Sequence, residues 1–67
     1  MTKWTVVVEG GGANLYEVAE RAGLFEACQV NVGLLNDRRV RVGTARDLEG
    51  ALSLINRHSG RKIRSVT

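Results

Sequence analysis

The sequence lacks proline, and it contains one cysteine, one histidine and three aromatic residues. A single cysteine excludes an internal disulfide framework, and one cysteine with one histidine cannot build a zinc site. No apolar run approaches the ~20 residues of a membrane-spanning helix, and the first residues lack the apolar stretch of a signal peptide. We therefore expect a cytoplasmic protein with no bound metal and no membrane attachment.

The length of 67 residues and the mass of 7.3 kDa allow one small domain, residues 1–67. Apolar residues make up 43% of the chain and charged residues 25%, as in an ordinary globular protein. A chain this short buries only about 60% of the surface that its unfolded state exposes. Pairing into a homodimer is therefore one expected route to stability.

Positive charge is concentrated in the second half of the chain. Residues 1–34 contain two basic and four acidic side chains, whereas residues 35–67 contain eight basic and three acidic ones. The net charge is +3 and the pI is near 9.8. A basic second half favours an acidic partner, either a nucleic-acid backbone or an acidic protein surface, and solubility is the alternative explanation.

Four segments have the composition or the alternation of β-strands. Residues 2–9 are rich in β-branched side chains, and residues 28–34 alternate apolar with polar side chains. Valines alternate with arginines at 39–42, which predicts a third strand that pairs with the second as a hairpin. Residues 62–66 predict a short final strand.

Two further segments carry apolar residues at helical spacing. In the first, Asn14 is a suitable N-cap and Gly23 is placed to end the helix. In the second, Thr44 is the predicted N-cap and Gly60 follows the last turn. The apolar stripe of this second helix consists of Leu48, Ala51, Leu52 and Ile55.

The two halves of the chain resemble each other at a spacing of 33 residues, which aligns Gly10 with Gly43 and Leu15 with Leu48. Each half contains the order strand, helix, strand. Two such βαβ halves predict a ferredoxin-like sandwich, an α+β fold with the element order βαββαβ. Its four-stranded antiparallel sheet has the strand order 4-1-3-2, with two helices on one face.

The other face of this predicted sheet is open to solvent. Alternation assigns Trp4 and Cys28 to the core side. Four cations are expected to converge around Val7, because strands three and four flank strand one in this topology. Together with two amides, these cations form the predicted partner-binding face, which consists of Arg39, Arg41, Lys62, Arg64, Gln29 and Asn31.

The predicted open face has no aromatic ring that could stack on a base, so we expect contact with phosphates rather than recognition of sequence. Protection of edge strands against aggregation is the alternative explanation for its cations. The expected function is that of a small binding module whose basic face meets an acidic partner.

No catalytic set can be assembled from the residues present. Cys28 has no neighbour in sequence that would lower its pKa, so we predict a small core residue. His58 lies beside Arg57 at a helix end, where cations offset the helix dipole. We therefore expect a protein that is not an enzyme and has no cofactor.

The first predicted helix follows a glycine-rich loop, Gly10, Gly11 and Gly12. A dinucleotide-binding fingerprint would need glycine where Leu15 stands, so we interpret the loop as a flexible turn. Glycines without side chains also let a ligand approach the backbone, which makes this loop, with Asn14, a candidate small-ligand site.

The segment Gly12-Ala13-Asn14-Leu15, which leads into the predicted first helix, resembles the corresponding turn of ACT regulatory domains. The resemblance covers nearly the whole predicted element order. It implies a βαββαβ fold, a sensor of small ligands such as amino acids at this loop, and side-by-side pairing of copies.

A different class of function is a protein-interaction or oligomerisation module that acts through exposed sheet edges. Strands two and four are the edges of the predicted sheet, and strand two ends in Leu34 and Leu35 with little charge nearby. Such an edge can add to the sheet of a partner. Small accessory proteins of phages and mobile elements act on host factors in this way.

Overall fold

The computed structural model describes residues 2–67, which form five strands and one helix. All paired strands are antiparallel, and their order across the sheet is β4-β3-β2-β1-β5. The predicted ferredoxin-like sandwich, with four strands in the order 4-1-3-2 and two helices, is therefore wrong. The elements are β1 (Thr2–Val8), β2 (Leu15–Arg21), β3 (Leu24–Asn31), β4 (Arg38–Ala45), α1 (Leu48–Ser59) and β5 (Ile63–Val66).

The error lies in the segment predicted as the first helix, which is strand β2. Tyr16 and Val18 are fully buried, and they alternate with the half-buried Glu17 and Ala19. This period of two matches the pleat of a strand that pairs with β1 on one side and β3 on the other. The apolar residues at helical spacing in this segment therefore lie on a strand and not on a helix.

Gly23 belongs to a tight turn between β2 and β3 and does not end a helix. Arg21 pairs with Leu24, which leaves Ala22 and Gly23 as a two-residue loop. Both residues have positive φ, 53° and 80°, as a type I′ hairpin turn requires. A left-handed glycine serves a helix end and a hairpin turn equally well, so this signal could not separate the two structures.

The ACT resemblance rested on a helix after the glycine-rich loop. Residues 9–14 instead connect β1 to β2 as a hairpin, in which the Val8 N–H donates to the Asn14 carbonyl at 3.0 Å. The element order βαββαβ that the resemblance implied is absent from residues 2–67.

Helix α1 was predicted correctly in its apolar stripe and its end, but not in its N-cap. Thr44 lies in β4, and the N-cap is Asp47, whose Oδ1 accepts from the Gly50 N–H at 2.7 Å. The helix ends at Gly60, whose N–H donates to the Asn56 carbonyl at 2.9 Å. No helix within residues 2–67 has the length and apolar character to cross a membrane.

The core lies between α1 and one face of the sheet. Trp4 and Phe25 pack against its border with ring centroids 5.7 Å apart, as predicted for the core side of Trp4. The fully buried core residues are Val6, Val8, Tyr16, Val18, Ala27, Ala51 and Ile55. Within residues 2–67, the opposite face of the sheet is not covered by a helix.

The register of β3 reverses the predicted orientation of its side chains. Gln29 pairs with Tyr16 and Ala27 with Val18, so Gln29 and Asn31 lie on the helix side. Cys28 lies on the open face, opposite Glu17. The predictions that placed Cys28 in the core and the two amides on the open face are therefore wrong, because the strand is out of phase by one residue.

Candidate interaction surfaces

The four cations that were predicted to converge are divided between two edges of the sheet. Arg39 and Arg41 lie on β4, whereas Lys62 and Arg64 lie just before and within β5. Three strands separate these edges, which corresponds to ~19 Å at ~4.8 Å per strand spacing. Their convergence around Val7 is wrong because the chain crosses the whole sheet through α1 between β4 and β5.

On the open face, the β4 arginines are paired with glutamates from neighbouring strands. Arg39 Nε lies 3.4 Å from Glu17 Oε1, and Arg41 Nε lies 3.2 Å from Glu26 Oε2. Both arginine side chains are more than half exposed, so each pair contributes little to stability, about 0.2–1 kcal/mol. The pairs nevertheless balance the positive charge of this face locally.

Cys28 lies between these two ion pairs. Its Sγ donates to Glu26 Oε1 at 3.8 Å. Burial raises the pKa of the Cys28 thiol, the carboxylates of Glu26 and Glu17 raise it further, and Arg39 acts in the opposite direction. The thiol is therefore held in its protonated, poorly nucleophilic form.

The hairpin that joins β3 to β4 extends away from the core. Residues 31–41 are all exposed, and its loop, residues 32–37, is called the hairpin tip below. Within the tip, Leu34 is fully exposed, Leu35 is 93% exposed and Val32 is 72% exposed. A Cβ on Gly33 would collide with the Asn36 carbonyl oxygen, so the tip turns back on itself tightly. The sequence singled out Leu34 and Leu35, but as the end of a strand.

At the same end of the sheet as the hairpin tip, the glycine-rich loop surrounds a cation. The Arg61 guanidinium donates from Nη1 to the carbonyl oxygens of Gly12 at 3.1 Å, Gly11 at 3.4 Å and Glu9 at 3.5 Å. Asn14 Nδ2 donates to the Gly10 carbonyl at 3.0 Å. Carbonyl oxygens that face inward bind cations, so the loop is arranged around Arg61, which the sequence did not identify. A small-ligand site at this loop stays a prediction.

Tyr16 joins the sheet to the end of α1. Its side chain is 1% exposed, and its hydroxyl lies 2.9 Å from Nδ1 of His58, whose ring meets the tyrosine ring edge-on. Gln29 Nε2 donates to the same hydroxyl at 3.5 Å. Burial raises the pKa of Tyr16, whereas Arg61 and Gln29 lower it. The raised pKa keeps the hydroxyl protonated, and the contact anchors the last turn of α1.

A further exposed surface lies where α1 meets β5. Arg57 and Lys62 line a shallow depression there, and Arg64 follows on β5. These three residues are called the basic strip below. The rest of the depression is lined by Leu52, Ser53, Asn56 and Ile63.

No protein-family model, curated protein or solved structure matches this chain. Within residues 2–67, no three His, Cys, Asp or Glu side chains are grouped so that they could hold a metal ion. The hairpin tip and the basic strip are therefore the features from which a function is proposed.

Proposed function

We propose that this protein is a binding module without enzymatic activity, and that it contacts an acidic surface of a partner protein through the hairpin tip. The observation that carries the proposal is the exposure of Leu34 and Leu35 at the end of a projecting hairpin. Isolated exposed apolar residues are ordinary, but Val32, Leu34 and Leu35 occur together on an exposed segment outside the hydrophobic core cluster. Contiguous apolar exposure of this kind is typical of interaction sites.

Burial of the tip in a partner would remove apolar surface from water. Full burial of a leucine side chain contributes about 1.5–3 kcal/mol, so Leu34 and Leu35 together supply several kcal/mol toward association. The adjoining strand β4 is an edge of the sheet, and its unpaired backbone groups can accept an extended segment of the partner.

Charge favours an acidic partner over a second copy of this chain. Arg38 follows the tip directly, is exposed and forms no ion pair within residues 2–67, whereas Arg39 and Arg41 farther along β4 are paired with glutamates. A second copy would bring its own Arg38 to the same surface, and like charges that meet across an interface are destabilising. A partner with carboxylates around an apolar groove fits the same surface without this repulsion.

The contact of a polyanion with the open face of the sheet has less support. The arginines that were expected to form that face, Arg39 and Arg41, are paired with Glu17 and Glu26. A polyanion would have to compete with two carboxylates that already occupy the guanidinium groups.

The proposal is tested by replacing both tip leucines with serine, Leu34→Ser and Leu35→Ser. The matched control is Leu24→Ser, which changes a half-exposed leucine at the other end of β3. Immobilised wild type and variants are incubated with a lysate of the source cells, and retained proteins are quantified by mass spectrometry. We expect a partner that wild type and Leu24→Ser retain, that the double variant loses, and that elutes with salt.

Retention of the same proteins by the double variant would refute a role for the tip. Measurement of mass in solution at high concentration covers self-association. A dimer that the Leu34→Ser and Leu35→Ser changes dissociate would show that the tip binds a second copy and not an acidic partner.

A further inference from the structure

The last quarter of the chain is basic throughout. Residues 50–67 contain Arg57, Arg61, Lys62 and Arg64 and no aspartate or glutamate. All four cationic residues are exposed. The positive excess of the protein is therefore concentrated where α1 ends and β5 begins, at the edge of the sheet opposite the hairpin tip.

Two of these four cations have a role in the fold. Arg57 lies in the last turn of α1, where a positive charge offsets the helix dipole. Arg61 is held by the carbonyls of the glycine-rich loop. Within residues 2–67, by contrast, Lys62 and Arg64 form no ion pair. Edge protection alone would explain those two, but it does not explain why the whole segment 50–67 has no aspartate or glutamate.

The cations of the basic strip come from two elements that meet at one edge of the sheet. Arg57 and Lys62 line the same depression, although they come from different elements. Lys62 directly precedes β5 and Arg64 lies within it, where the register with β1 shifts between Val7 and Val8. The nearest acidic residue in the hydrogen-bonded register is Glu9, whose backbone N–H donates to the Lys62 carbonyl at 2.8 Å.

We propose that the basic strip, Arg57, Lys62 and Arg64, binds the sugar–phosphate backbone of a nucleic-acid duplex without recognition of sequence. Leu52 and Ile63 in the depression are half-buried, whereas the cations at its rim and beside it are exposed. Closely spaced phosphates are the ligand that needs charge and no apolar contact.

The aromatic residues account for the expected lack of base recognition. Trp4 and Phe25 pack against the core and Tyr16 is buried, so none of the three rings is available to stack on an unpaired base. Phosphate contacts alone position a protein on a duplex but carry no sequence information. This proposal is independent of the partner at the hairpin tip, because the two surfaces lie at opposite edges of the sheet.

The test is fluorescence anisotropy of a labelled 20-base-pair DNA duplex of random sequence, titrated with the full chain at several salt concentrations. Three phosphate contacts predict a slope of about −2.7 in log affinity against log salt, and therefore about 40-fold weaker binding at 200 mM than at 50 mM salt. Arg57→Gln with Lys62→Gln removes two contacts, so we expect that slope to flatten by about 1.8. Glu9→Gln removes a neighbouring carboxylate, and we expect tighter binding.

The matched control is Arg39→Gln with Arg41→Gln, which removes the same two charges from the other edge of the sheet. We expect this control to retain the wild-type salt slope. The charge-conserving pair Arg57→Lys with Lys62→Arg should also retain it. Thermal unfolding of each variant establishes that the compared proteins are folded.

Three results would overturn the proposal. Absence of binding at low salt would indicate that Lys62 and Arg64 serve only to protect the sheet edge against aggregation. Equal losses for the Arg57/Lys62 and Arg39/Arg41 pairs would indicate attraction by net charge without a site. Competition by polyglutamate as effective as that by unlabelled duplex would indicate an acidic protein as the partner of this surface.

Discussion

The contact between Tyr16 and His58 makes a quantitative prediction about how α1 is held on the sheet. Tyr16→Phe keeps the buried ring and removes only the hydroxyl that lies 2.9 Å from Nδ1 of His58. Because His58 is exposed and its freed nitrogen can bind water, we expect a loss of about 1 kcal/mol in the free energy of unfolding. For a domain of this size, that loss lowers Tm by roughly 4–8 °C.

His58→Ala removes the same hydrogen bond together with the edge-on ring contact, whose centroids are 5.8 Å apart. We expect it to cost about 1–2 kcal/mol, since such ring contacts contribute about 0.5–1.5 kcal/mol. If the two changes act through one bond, the double variant is no less stable than His58→Ala alone. The coupling energy of the double-mutant cycle is then about 1 kcal/mol.

Urea unfolding followed by the fluorescence of Trp4 provides the measurement, since this single tryptophan packs against the core beside Phe25. Ser53→Ala, at an exposed position of α1, serves as the control; its effect should add to that of Tyr16→Phe. If Tyr16→Phe and His58→Ala were themselves additive within about 0.3 kcal/mol, the bond inferred between the two side chains would be refuted.

Three further predictions concern the core, the glycine-rich loop and the thiol. Ile55→Ala leaves a cavity at a fully buried position and should lower the free energy of unfolding by about 2–5 kcal/mol, which is comparable to the whole stability of so small a domain. We therefore expect the variant to lose its cooperative unfolding transition in urea. A midpoint like that of the wild type would contradict this prediction. Arg61→Ala removes the hydrogen bonds from the guanidinium to three carbonyls of the glycine-rich loop. We expect faster hydrogen exchange of the amides of residues 9–13 and unchanged slow exchange in the core. Equal acceleration in both regions would mean that Arg61 acts on global stability. The pKa of Cys28 is raised in the folded state, so the unfolded chain deprotonates first as pH rises. The contribution of the protonated thiol to the free energy of unfolding is therefore complete below about pH 8.5 and is lost as pH rises further. If Cys28→Ser loses stability between about pH 8 and 10 to the same extent as the wild type, the thiol is excluded as the cause.

The proposed surfaces differ from the one that the sequence indicated. The sequence identified four basic residues as candidates for partner binding, but it assigned all four to one face of the sheet, whereas they lie at two opposite edges. In the structure, the arginines of β4 are balanced by Glu17 and Glu26, and the cations around β5 are not. The prediction of an acidic partner therefore survives as a proposal, but its two sources, an acidic protein and a nucleic acid, are now assigned to different edges of the sheet.

Strong local signals were interpreted correctly. The valine-rich segment forms β1, and the apolar stripe from Leu48 to Ile55 packs on the core, with Gly60 directly after the last turn. In these segments the periodicity and the cap agree with each other, so neighbouring residues alone are sufficient to select the structure.

The segment at 15–21 shows where local signals are insufficient. Its apolar residues fit a helix as well as a strand, and both Asn14 and Gly23 have a role in either structure. Pairing with β1 and β3 decides the matter, because a strand at this position satisfies the backbone groups of two neighbours and buries Tyr16 and Val18. The apparent repeat of 33 residues strengthened the wrong alternative, since it suggested a second βαβ unit.

The sequence by itself determined strand β1, the position and apolar stripe of α1, and the basic character of the second half. These properties follow from residue type and local spacing. Only the tertiary structure decided the strand order, the phase of β3 and the separation of the cations, because these depend on which strands pair across long distances in the chain. A shift of one residue in register exchanges Cys28 with Gln29 between the two faces, and no local pattern in the chain determines that register.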